Sequence, residues 1–228
     1  NPNASKPRYI WIDAAANFPD FANSKENIAR DLALAKDAGF TDIVVDVRPT
    51  TGDVLFKTNL VDQVKFMYAW IGSNYTKVER TATWDYLQAF VDEARKQGLR
   101  IHAAINTFVG GNQIDGGTGL LYRDQSKAEW ATQMNMQVGI TSVMNTSEST
   151  KFFNPAHPEV QTFLCDLLKD LAGYDLDGIF LDRGRFLNLQ ADFSEESRKQ
   201  FEEYMGGIRI QNYPNDILAP GASSLPAT

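Results

Sequence analysis

The run Gly178-Ile179-Phe180-Leu181-Asp182 ends in a carboxylate and is followed at once by Arg183-Gly184-Arg185. A carboxylate closing an apolar run beside guanidinium groups suits a nucleophile, or a group that stabilises positive charge in a transition state. Three other apolar runs also deliver polar groups near their ends. YIWIDA (9–14) carries Asp13, DIVVDVR (42–48) carries Asp46 and Arg48, and RIHAAIN (100–106) carries His102 and Asn106. Burying such groups is costly unless they are paired or used. Asp46 reads first as half of a structural ion pair with Arg48. His102 stands between a satisfied core histidine and a substrate contact, and Asn106 between a loop tie and a substrate contact. Asp182 is the catalytic candidate. Asp13, three strands away, is not assigned as its acid partner.

Several other chemistries are excluded. Cys165 is the single cysteine, so no disulfide closes within the chain, and the only two histidines are not in an HExxH pattern. A zinc site is therefore not expected, whereas loops rich in Asp and Asn leave calcium open. There is no GxSxG elbow, no Walker A loop and no dinucleotide fingerprint, and no cofactor is expected. Gly110, Gly111, Gly116, Gly117 and Gly119 mark a turn-rich stretch, not a nucleotide loop. Lys+Arg number 22 against 29 Asp+Glu in 228 residues, a net charge of −7. An acidic chain is a poor nucleic-acid binder. No run is long enough to span a membrane. At 43% hydrophobic and 22% charged residues the chain can fill a sizeable core.

The four runs read as strands covered on both faces. Between them lie helical patterns: about Ser24 to Ala38, from after Thr83 to Gly98, from Pro158 through Leu171, and about Ser194 to Met205. The order β-α-β-α-β-α-β-α implies parallel strands joined by right-handed crossovers. Helix-to-strand links are short, whereas strand-to-helix links are long (15–23, 49–83 and 107–157). In parallel α/β folds the strand C-terminal ends carry the active site, so the long loops gather on the functional side. A capping box, Ser126 to Glu129, predicts a short helix inside the third long loop. Counting back by twos from each terminal polar group points Tyr9, Trp11 and Asp13, then Val44, Asp46 and Arg48, then His102, Ala104 and Asn106, then Gly178, Phe180 and Asp182, to one face.

Four βα units fill about 200 residues, and eight at that rate need about 400, within the range of TIM-type barrels. An open four-stranded parallel sheet leaves unpaired edges. The expected fold is thus α/β, a (β/α)8 TIM-barrel type of which this chain supplies about the first four units. Residues 1–7 are expected as a flexible leader, 8–205 as the first half of the barrel, and 206–228 as a loop-like tail toward a second half carried elsewhere.

Asp46-Val47-Arg48-Pro49-Thr50-Thr51-Gly52-Asp53 resembles the arginine-proline and glycine-aspartate signature of a bacterial glycosyl-hydrolase-like family, the "family 10 glycosyl hydrolase-like" or α-amylase-like barrels. The run 153–160, FNPAHPEV, resembles that family's most recognisable motif, and 175–186 resembles its fourth strand, where a DGI run leads to an aspartate. The resemblance extends from Arg8 to about Leu218. It implies a barrel that hydrolyses glycosidic bonds of a polysaccharide or oligosaccharide, with Asp182 catalytic. Together with the residues facing one side, it implies substrate contacts by Asp13, Arg48, Asp53, His102, Asn106, Asn154, Arg183 and Arg185. It also implies an exported bacterial protein: periplasmic, a cell-surface lipoprotein, or secreted. Arg183, where an acidic residue commonly follows, and Thr107-Phe108, where a proline-containing turn is common, depart from the pattern and suggest a subgroup with its own sugar preference. The expected partners are a carbohydrate and a second-half polypeptide. The competing reading is a carbohydrate-binding protein without turnover, for which Trp70, Tyr75, Trp84 and Trp130 are stacking candidates.

Overall fold

The computed structural model describes residues 6–225. Most of the expected leader, and residues 226–228 of the tail, lie outside the described residues. In chain order the elements are β1 (Tyr9–Ile12), α1 (Phe18–Phe21), α2 (Lys25–Asp37), β2 (Asp42–Arg48), β3 (Phe66–Ile71), β4 (Asn74–Glu79), α3 (Tyr86–Gln97), β5 (Arg100–Asn106), β6 (Val109–Asn112), α4 (Leu120–Arg123), β7 (Gln133–Met136), β8 (Gly139–Ser142), β9 (Thr150–Phe152), α5 (Pro158–Leu171), β10 (Gly178–Asp182) and α6 (Glu195–Tyr204). The chain divides into two compact units. The first comprises Asn1–Pro49, Asp53–Asn106 and Leu167–Asp182, and the second comprises Thr50–Gly52, Thr107–Asp166 and Arg183–Thr228. The stretch 8–205 contributes to both. Among the described residues no helix is long and apolar enough to cross a membrane.

The first unit is built on a four-stranded sheet ordered β1-β2-β5-β10. All three pairings are parallel, as the alternation of apolar runs and helical stripes requires. Ile43, Val45, Ile101 and Ala103 are fully buried on one face. Ile28 and Leu32 of α2, and Leu87, Phe90 and Ala94 of α3, are as deeply buried. Ser24 caps α2 by accepting the Asn27 N–H, and Asp85 caps α3 by accepting that of Gln88. α3 ends at Gly98, whose φ of 65° lies in the left-handed region that glycine adopts without steric cost. On the opposite face Tyr9, Trp11, His102 and Phe180 meet, with ring centroids 5.4 to 6.2 Å apart. Tyr9, Trp11 and Phe180 remain 48%, 44% and 39% exposed. The period-two count placed these four on one face, and they share it.

The loop expected over 49–83 contains an antiparallel hairpin, β3–β4. Its signal is present in the sequence: alternating residues on either side of Gly72-Ser73, a two-residue turn with Gly72 at φ 61°.

The second unit holds the antiparallel pairs β6–β9 and β7–β8. Its glycine-rich stretch is a backbone crossing. A Cβ on Gly119 (φ 83°) would stand 2.6 Å from the Gly111 Cα and 2.8 Å from the Thr51 carbonyl oxygen, so only glycine fits. The expected capping box is not formed. Asp124 accepts the N–H and hydroxyl of Ser126 and starts a 3-10 turn over Gln125–Trp130. The shorter reach of an aspartate two residues upstream satisfies those donors before a box closes.

Candidate active site

Asp182 is the last residue of β10 and lies in register with Asn106, the last residue of β5. Its side chain is exposed. Arg183, directly after it, has φ 48°, a left-handed conformation that costs a non-glycine residue energy and is concentrated at functional turns. The turn therefore halts the strand at the carboxylate.

Beside it, β2 and β5 are stapled by a reciprocal pair. Nη1 of Arg48 donates to the Asn106 carbonyl at 2.6 Å, and Nδ2 of Asn106 donates to the Arg48 carbonyl at 2.9 Å. Arg48 is fully buried, with Asn106 6% and Asp53 3% exposed. Burial pulls the Arg48 guanidinium down to about 10, and the charges of Asp53 and Asp46 oppose that fall, so it stays protonated at neutral pH. The Asp46 Oδ1 accepts the Arg48 N–H at 3.1 Å. The strand register shifts between these two residues and sets Arg48 opposite Ile105 rather than a residue of the Asp46 face. The bulge breaks the period-two count, so the expected placing of Arg48 on one face with Asp46 fails there. Arg48 and Asn106 tie the ends of β2 and β5 together.

Asp13 is exposed, and its Oδ1 accepts the N–H groups of Ala15 and Ala16 at 2.8 and 2.7 Å. Asn17 returns the contact by accepting the Asp13 N–H. This turn locks the loop after β1. Tyr86 opens α3 and was not anticipated. Its hydroxyl is buried without a hydrogen-bond partner among the described residues. Burial, and then the charge of Asp46, push its phenol up, Arg80 opposes them, and Asp13 adds the smallest push, so it stays neutral. The only hint of it in the sequence was its place at a helix start after a capping aspartate.

His102 lies elsewhere. It was expected at the C-terminal end of the sheet. Its Nε2 instead stands 2.8 Å from Oδ1 of Asp42, the first residue of β2. Arg100, the first residue of β5, donates to the same carboxylate through Nε and Nη2 at 2.8 and 3.0 Å. A Cβ on Gly178 would come within 2.7 Å of the His102 Nδ1, so the glycine makes room for the ring. Period two fixes a residue's face but not its height along the strand, and His102 sits at the opposite end from Asp182. Burial pushes the Asp42 carboxyl up, but hydrogen bonds from Arg100, Thr41 and His102 outweigh this and hold it well below the usual carboxylate range. A carboxylate depressed in the folded state stabilises the fold above its unfolded value, near 3.9, and loses that contribution as pH falls below it. Stability is therefore expected to drop on acidification below about pH 4. Asp42→Asn should flatten that slope in urea titrations run at pH 2.5 to 6, and an unaltered slope would contradict the assignment.

The remaining expected contacts belong to the second unit. Asn154 is 1% exposed. Its Nδ2 donates to Oγ of Ser194 at 3.0 Å, and its Oδ1 accepts the Ala156 N–H. His157 Nδ1 accepts the Glu159 N–H at 3.1 Å, and Pro158 opens α5. The motif 153–160 thus works physically as a helix entry. A cleft of about 720 Å³ beside it is lined by Asn154, His157, Glu129, Glu159, Glu195 and Glu196, among others. Arg185 donates to the carbonyls of Phe186 and Leu187 and lies 5.7 Å from the Phe152 ring. Among the other stacking candidates, Trp130 is buried and Trp84 lies under the charges of Lys25 and Arg80.

Residues 6–215 match the family described as glycosyl hydrolase-like 10. An S-layer-related protein of Niallia circulans is 31% identical over 95% of this chain. The chain spans only 14% of that relative's length. Among solved structures, alpha-L-fucosidase isoenzyme 2 from Paenibacillus thiaminolyticus aligns with a TM-score of 0.58 at 17% identity, covering 95% of this chain and 28% of that one. A hypothetical protein from Ruminiclostridium thermocellum aligns with a TM-score of 0.52 at 14% identity, covering 87% and 89%. At these identities the structural likeness concerns the fold.

Proposed function

We propose that this chain, which belongs to the glycosyl hydrolase-like 10 family, supplies the first four βα units of a TIM-type barrel that cleaves glycosidic bonds, with Asp182 as nucleophile or charge stabiliser. The observation that carries this is the exposed carboxylate at the end of β10, in register with Asn106 and followed by a left-handed arginine. Glycoside hydrolysis uses two carboxylates, so the acid comes from a later strand. The exposed cluster of Tyr9, Trp11 and Phe180, and edge strands β1 and β10 without a further partner among the described residues, support a sheet completed by a second half. The proposed place of action is the periplasm, the cell surface or the outside of the cell.

The test is release of reducing sugar from a panel of polysaccharides by the longer protein, wild type against Asp182→Asn. The 228-residue chain alone is expected to bind sugar weakly and turn over nothing. Robust hydrolysis by it alone would overturn the half-barrel reading.

A further inference from the structure

The β3–β4 hairpin pairs Phe66 with Glu79, Tyr68 with Lys77 and Trp70 with Tyr75. Alternation puts Met67 and Ala69 on its buried side, and both are under 7% exposed. The other side carries a continuous aromatic row. Phe66 and Tyr68 lie 6.0 Å apart edge to face, Tyr68 stacks on Tyr75 at 5.3 Å, and Tyr75 meets Trp70 at 5.2 Å. Cross-strand aromatic pairs stabilise a hairpin by about 0.2–1 kcal/mol each, which covers Trp70 opposite Tyr75 and the diagonal contact of Tyr68 with Tyr75. It does not account for how much ring surface the tip keeps in water, where Trp70 is 68% and Tyr75 58% exposed. Large rings gathered in water mark a recognition surface.

Charge and shape select the occupant. The row from Phe66 to Trp70 is about 14 Å long at the usual rise per strand residue. Its charges stand at the base, where Lys77 lies 4.4 Å over the Phe66 ring and Glu79 faces that ring across the pair. Beyond Lys77, which pairs with Tyr68, the tip offers only the rings of Tyr75 and Trp70 with their hydroxyl and indole N–H, and the chain as a whole carries a net charge of −7. That chemistry fits the apolar faces of successive sugar rings, with hydroxyls to bond at their edges, and disfavours a polyanion. The hairpin leaves the C-terminal end of β2 and returns to the start of α3, so it springs from the same end of the first unit's sheet as Asp182.

We propose that the β3–β4 hairpin is a stacking platform for an uncharged polysaccharide strand, a proposal that rests on the glycosidase reading and names its substrate class. The probes are insoluble cellulose, insoluble chitin and soluble amylose, with retention measured for the 228-residue chain and for Trp70→Thr/Tyr75→Thr. Threonine keeps the strand preference, and circular dichroism checks the fold. Wild type should be retained by at least one probe, and the double variant should lose at least tenfold in affinity. Should the double variant misfold, Trp70→Ser at the tip replaces it, with the same expectation. Equal retention of wild type and a folded variant would overturn the platform and leave the glycosidase reading standing. Retention by none of the three probes would also overturn it, while the Asp182 assay judges the glycosidase reading separately. Sedimentation showing a wild-type dimer that the variant dissolves would assign the face to a second copy and overturn the proposal.

Discussion

Asp182→Asn in the protein carrying its second half is expected to lower kcat by at least about 100-fold, with glycan affinity unchanged within about twofold. The substitution keeps the size and shape of the side chain and removes its charge. If the carboxylate attacks the sugar carbon or stabilises its developing positive charge, the loss falls on the transition state alone. A loss confined to KM would recast Asp182 as a binding residue, and full activity would remove it from the chemistry. The left-handed Arg183 supplies a companion measurement. Arg183→Gly relieves the backbone and should raise the melting temperature slightly. A fall in kcat beyond that of Arg183→Asn, which removes the guanidinium but tolerates the left-handed turn, then measures what the fixed turn contributes to aiming the carboxylate.

Arg48→Met carries the second large effect, on stability. The guanidinium is fully buried, donates to the Asn106 carbonyl and lies in the field of Asp53 and Asp46. Removing it leaves a buried carboxylate without its countercharge, a class of change that costs about 3–5 kcal/mol. In a chain of this size that lowers the melting temperature by about 10 °C. Arg48→Lys keeps the charge but not the planar fork, and should fall between the two. A methionine variant that melts with wild type but shows a raised KM would return Arg48 to the substrate-contact role expected from the sequence.

The contrast between these residues shows what a sequence can convey. β2, β5 and β10 have the expected bounds because each is a continuous apolar run flanked by turn chemistry, and their order follows from the alternation with helices. The hairpin was passed over because its half-exposed, alternating strands differ from the buried runs that marked the sheet. The shared face of Tyr9, Trp11, His102 and Phe180 was legible from period two alone. The partner of His102 was not, because it depends on how β2 and β5 are staggered, which brings Asp42 within reach of the ring. Arg48 escaped because one extra residue in a strand leaves no compositional trace. Asn154 and His157 were recognisable as a motif, but their work as helix-entry ligands depends on loop geometry.

β5 and β10 are neighbours in the sheet, yet about 70 residues separate Asn106 from Gly178 in the chain. At ribosomal rates of roughly 5–20 residues per second, several seconds pass before β10 emerges. During that interval β5 presents an open edge with Ile101, Ala103 and Ile105 already in place, the kind of template on which nascent chains stick together. Yield in recombinant expression should therefore respond to slower growth temperature and to chaperone supply more than to changes at the surface. A version truncated before Gly178 should partition into the insoluble fraction.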